Sequence, residues 1–249
     1  MTVQLACALH LSNAWARAAA NQGDVLPRRF SAAMTWNLQN RVEDITITKV
    51  AVPSDSASRP KAAEKGKAPS LPDQVSQGSA ARNVTENGVL EDQVFGSTGN
   101  DENALRITGA SVTLKNVEIM KEEGSSSSTE NGDFYGMNAA LLATGGARVT
   151  VEDSAVHSAA LNGNGLFSYG KGTGIFAKNV TITTEGSHSG GLQTTGGALM
   201  EAENVTVSTA GNSSAAIRSD RGGGTVLVKG GTFRTEGYGS PAVYSTARI

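Results

Sequence analysis

One short phrase recurs along this chain from about Phe95 onward, and that recurrence restricts the fold more than any other feature. Val112, Leu114, Asn116, Val117 and Ile119 set the pattern: two apolar residues at alternate positions, a polar corner, then two apolar residues in the opposite phase. It returns around Asp153 (Val149, Val151, Val156), Asn179 (Ile175, Ala177, Val180, Ile182), Asn204 (Met200, Ala202, Val205, Val207) and Gly230 (Val226, Val228, Phe233). Successive corners are separated by 37, 26, 25 and 26 residues. A period of about 25 built from short β-branched runs is the signature of a solenoid.

A second register runs in step with the first. Phe95, Val156, Ile182, Val207 and Phe233 each stand 10 residues before Leu105, Leu166, Leu192, Ile217 and Val243. Between them the same offset holds Gly99, Ala160, Gly186, Gly211 and Gly237. The pattern predicts three short strands per coil with alternate residues facing inward. The phase slip at Asn or Gly suits a sharp corner, because those residues tolerate left-handed backbone angles. Strands stacked in parallel with no helix between them, joined by crossovers of the usual hand, predict an all-β fold. The expectation is a right-handed parallel β-helix of about six coils of ~25 residues, with an irregular N-terminal extension.

Outward positions repeat as well. Lys115, Glu152, Lys178, Glu203 and Lys229 alternate in sign down one column, and opposite charges facing each other across strands contribute about 0.2–1 kcal/mol each. Thr181, Thr206 and Thr232 form another column, and the corner residues a third. These are expected to be structural ladders.

The 249 residues hold only 5% aromatics but 30 glycines, which suits a narrow coil with many corners. A net charge of -2 recommends neither nucleic acid nor an anionic membrane as partner. The single cysteine, Cys7, excludes an internal disulfide framework, and no stretch approaches the ~20 apolar residues of a membrane-spanning helix. Residues 1–52 read as an N-terminal segment with an Ala-rich helical stretch and no evident signal peptide. Within it, the strand-like run from Ile45 to Val52 is expected to cap the open first coil. Residues 53–82, rich in Pro, Ser, Lys and Ala, read as a flexible linker. Residues 83–249 read as the solenoid, stopping partway through a further coil. Lys121–Met137 is its one long interruption.

The repeated coil, the corner column and the phrases Gly145, Gly146, Val149, Val151 and Gly222, Gly223, Val226, Val228 resemble secreted bacterial β-helix proteins of the pectin-lyase-like superfamily, adhesin-like surface members above all. The likeness covers residues 83–249. It implies secretion or cell-surface display, and a fold that hosts lyases, hydrolases and adhesins alike.

Each chemistry then has its candidate residues. A polysaccharide lyase would centre on Arg218 and Asp220, with Ca2+ as cofactor and an acidic polysaccharide as substrate. The ordinary alternative for those two is a surface ion pair. A hydrolase needs closely set acids, and Asp153 and Asp220 stand apart. His157 and His188 have no ligand-spaced partners, so no metal is expected. The leading expectation is a non-catalytic, adhesin-like binder of glycan or host protein. Its binding residues would lie on an outward face of the first strand: Arg106, Phe167, Tyr169, Gln193, Arg218, Asp220 and Tyr244, with exposed aromatics beside polar groups. A purely structural spacer is the third reading.

Overall fold

The computed structural model describes residues 75–246, together with the backbone of two strands at residues 30–35 and 40–49. Residues 75–246 wind into a parallel β-solenoid of about six turns. The two N-terminal strands are β1 (Phe30–Thr35) and β2 (Asn40–Lys49). The first strands of successive coils are β3 (Ser79–Val84), β6 (Glu102–Thr108), β9 (Leu141–Thr144), β12 (Leu166–Tyr169), β15 (Leu192–Thr195), β17 (Ile217–Ser219) and β19 (Val243–Ser245). They stack in that order into one sheet. Second strands are β4 (Gly88–Glu91), β7 (Ser111–Lys115), β10 (Arg148–Glu152) and β13 (Gly174–Lys178). Third strands are β5 (Val94–Ser97), β8 (Glu118–Lys121), β11 (Ala155–Ser158) and β14 (Thr181–Thr184). In the last coils the two merge through the corner into β16 (Ala198–Thr209) and β18 (Gly224–Thr235).

Alternation on these strands fills the interior. Leu105, Leu141, Leu166, Leu192, Ile217 and Val243 are register partners in one file. All are buried except Val243, which is half-buried in the last strand. Phe95, Ile119, Val156, Ile182, Val207 and Phe233 form the matching file on the third strands. Each side chain withdrawn this way contributes about 1.5–3 kcal/mol, which a lone coil cannot collect because it has no neighbour to close its two open faces.

The corners follow the expected chemistry. Asp92, Asn116, Asp153, Asn179 and Asn204 all carry φ between 49° and 55°. The Asn116 amide donates to Asp92 at 2.6 Å, Asn179 to Asp153 at 2.8 Å, and Asn204 to Asn179 at 2.8 Å. The charge column is in register too, with Lys115 3.1 Å from Glu91 and Lys178 3.8 Å from Glu203. A further corner carries a ladder for which the sequence reading had no account. The hydroxyls of Ser189, Ser214 and Ser240 donate to Ala160, Gly186 and Gly211 carbonyls, while Ser214 and Ser240 each accept the N–H of the serine one coil below.

Two placements differ from the sequence reading. The first strand begins at Ser79, inside the stretch assigned to a linker. The N-terminal strand, expected to cap the first coil, lies at the opposite end: β2 pairs in parallel with β18, Val42 beside Val228, Glu43 beside Lys229, Thr46 beside Thr232 and Ile47 beside Phe233. Charge is consistent with this end. At β18 the register sets Glu43 against Lys229, whereas at the first coil the same register would set Glu43 and Asp44 against Glu91 and Asp92. β1 then pairs antiparallel with β2. The linker reading of residues 53–74 and the helical reading of residues 1–20 lie outside the described residues.

Candidate functional site

The interruption after Lys121 folds back over the outward face of the first-strand sheet. It contains one short helix, α1 (Thr129–Tyr135). Ser128 caps its start, the hydroxyl accepting from the Asn131 N–H at 3.2 Å, and Gly136 ends it in the left-handed region at φ 78°. A side chain at Gly136 would lie 2.6 Å from Leu142 and 3.1 Å from Phe167, so the turn can press against the sheet only as glycine.

The register of the predicted binding column is as expected: Arg106, Leu142, Phe167, Gln193, Arg218 and Tyr244 are successive partners. Its exposure is not. Phe167 and Gln193 are wholly buried, Arg218 and Asp220 nearly so, and Leu142 and Phe167 form a small apolar cluster with Ala139 under the inserted segment. Gln193 donates its amide to the Asp133 carbonyl at 2.5 Å, and the Thr195 hydroxyl donates to the Phe134 carbonyl at 2.7 Å. The column is therefore largely the seat of α1 rather than an open surface. A period read from the coils could not show this, because the covering residues belong to the one segment outside the period.

Charge is settled locally. The Arg218 guanidinium donates to Asp220 Oδ2 at 3.0 and 2.8 Å and stands 3.6 Å from Asp133 Oδ1. Burial by itself would lower the Arg218 pKa, but Asp133 and Asp220 outweigh it and hold the group above its ordinary value. Asp133 also accepts from the Asn162 amide at 2.9 Å and faces His188 Nδ1 at 3.4 Å. Arg221 pairs with Glu130 at 2.6 Å and lies over the Phe134 ring at 3.8 Å. Arg106 spends its donors on the carbonyls of Gln77, Gly78 and Ser79 and on Asn103, tying the entry of the first coil to the second. Arg218 is nearly buried beneath α1 and its guanidinium is taken up by Asp220 and Asp133, so it is not presented to solvent as a lyase base would be. Among the described residues no three of His, Cys, Asp or Glu are grouped so as to hold a metal ion.

What the face leaves partly open is aromatic. Tyr135 and Tyr169 meet edge to face, 5.5 Å between centroids at 68°. Phe134 and Tyr244 flank Arg218 at 5.8 and 5.6 Å. All four residues are half-buried. Tyr169 and Tyr244 were candidates from sequence; Phe134 and Tyr135 were not. Their signal was the aromatic pair at the end of an otherwise acidic, Ser-rich insertion.

Comparison with known proteins finds no matching family model, no matching curated protein and no matching solved structure. The candidate site therefore stands on its own geometry.

Proposed function

We propose that this chain is a non-catalytic, secreted or surface-displayed β-helix of the adhesin-like kind within the pectin-lyase-like architecture, and that it binds glycan along the rim of α1. The observation that carries this reading is the division of labour on the covered face. Arg218, Asp133 and Asp220 neutralise one another beneath the helix, while Phe134, Tyr135, Tyr169 and Tyr244 are only half-buried. Half-buried aromatic residues fixed by packing offer flat apolar faces to the C–H side of a sugar, and the neighbouring hydroxyls and Arg221 supply donors for its oxygens.

A glycan array with the full chain tests the proposal. Binding that Tyr135→Ala and Tyr169→Ala each weaken by about tenfold or more, an anchor-type loss of at least about 1.4 kcal/mol, supports it. Absence of any glycan signal, or binding indifferent to both substitutions, overturns it in favour of a spacer.

A further inference from the structure

The coil that β19 opens is completed from far away in the chain. β19 lies on β17 as a first strand, and the second and third strands beyond β18 are both supplied by β2. The phrase that does this, Val42, Glu43, Asp44, Ile45, Thr46 and Ile47, has the form of the first coil's own phrase, Leu90, Glu91, Asp92, Gln93, Val94 and Phe95. Both put an apolar residue, Glu, Asp and a second apolar residue at the same four offsets. Residues 42–47 are thus a solenoid rung by sequence, placed ahead of the repeats.

We infer that the end of the solenoid formed by β18 and β19 is a strand-acceptor site for the chain's own residues 40–49, and that its occupation keeps copies of the chain apart. Three observations combine. The acceptor is specific: Val226, Val228 and Phe233 are buried interior rows, and Lys229 is the basic end of an alternating column that calls for an acid next. The occupant is the segment whose register provides Val42, Glu43 and Ile47 at those places. The filled end is then blocked twice, because β1 pairs antiparallel along the outer edge of β2, and because Glu43 and Asp44 repeat the Glu91 and Asp92 that a second copy's first coil would bring against them. An empty acceptor would be an open parallel edge over an apolar interior, the kind of heterologous surface that builds open-ended assemblies.

The test uses the full chain carrying Val42→Asp and Ile47→Asp, with Glu43→Lys alone as the milder variant that opposes Lys229 with a like charge. Sedimentation velocity is expected to show the unmodified chain as one species across a hundredfold range of concentration, and both variants as concentration-dependent larger species. A synthetic peptide of residues 38–50, added in trans, is expected to return the double variant to the small species. The same peptide carrying Glu43→Lys should need about ten times the concentration. Variants that keep their strand circular dichroism and stay a single small species overturn the inference, as does association that the peptide does not reverse. Should the double variant fail to fold, Thr46→Cys with Thr232→Cys in a Cys7→Ser background decides. Oxidation of the dilute chain should close an intrachain link, and no link, or only links between chains, overturns it.

Discussion

Arg218 on the solenoid and Asp133 on the inserted helix stand 3.6 Å apart, each with about nine-tenths of its side chain withdrawn from water. That pairing crosses between the two parts of the molecule, and with Asp220 at 2.8 Å it makes a closed cluster of one cation and two anions. Removing the cation leaves both buried carboxylates without their guanidinium, Asp133 with Asn162 and His188 and Asp220 with the Arg221 N–H and Thr246. Arg218→Ala is expected to cost about 3–5 kcal/mol in urea-induced unfolding. It should also lift α1, read as a loss of near-ultraviolet dichroism from Tyr135 and Tyr169. Loss of stability without that local signal would mean that the helix is held mainly by Gln193 and Thr195.

Lys121 makes a different prediction, about pH. Its ammonium is fully buried at the end of β8, donating to Ser97 Oγ at 3.2 Å and to the Gly99 carbonyl. Burial lowers its pKa to about 8, only partly countered by Glu102 and Asp101. The unfolded chain keeps a lysine at its ordinary 10.5. Between pH 8 and 10.5 the unfolded state therefore holds a proton that the folded state has released, and this group makes stability rise with pH across that window. Below pH 8 both states are protonated and the burial penalty is fully present. Lys121→Met should remove the rise and stabilise the fold at pH 7 by about 1–3 kcal/mol. The check is the difference in urea midpoint between variant and parent at pH 7 and pH 10, which cancels the other titrating groups.

At the corners, Asn179 serves both neighbours: its amide donates to Asp153 and its carbonyl oxygen accepts from Asn204, each at 2.8 Å, with φ at 53°. Asn179→Ala loses both bonds and puts a Cβ-bearing residue without a local hydrogen-bonding side chain in the left-handed region, for an expected cost of about 1–2 kcal/mol. Asn179→Gly loses the bonds but not the ease of the angle, so about half that cost is expected. Equal midpoints for the two variants would assign the whole effect to the ladder and none to the backbone.

These corners show which information a repeat carries. The interior files through Leu105 and Phe95, the sign-alternating column and the asparagine corners were legible because each residue's environment is set by the coil above and the coil below, one period away. Phe167 and Gln193 were legible as outward but not as buried, since α1 reaches them from outside the period. Of residues 42–47, only Ile45, Thr46 and Ile47 fell within the strand read to cap the first coil. That Glu43 suits Lys229 better than it suits Glu91 emerges only when the two ends of one column are compared. The serine ladder was available from spacing, with Ser214 25 residues after Ser189 and Ser240 26 after Ser214, but hydroxyls are too common in this chain for the column to stand out.

The glycine column beside those serines sets the tightest steric demand. A Cβ built at Gly211 would lie 1.9 Å from the Gly186 carbonyl oxygen, and one at Gly237 would meet the Gly211 oxygen at 1.8 Å. Backbone cannot move aside as a side chain can, and each carbonyl is further held by a serine hydroxyl of the next coil, Gly186 by Ser214 and Gly211 by Ser240. The demand is one of space rather than of backbone angle, since neither glycine has a positive φ. Gly211→Ala should therefore force coils apart locally and destabilise by about 2–3 kcal/mol or more. Gly96→Ala, on an exposed strand position with nothing within 4 Å of the added carbon, is the matched control and should be near neutral. Thermal unfolding of the two variants side by side distinguishes crowding from a general intolerance of alanine. If Gly211→Ala melts with the parent, coil spacing at this corner yields more easily than the stacked carbonyls imply.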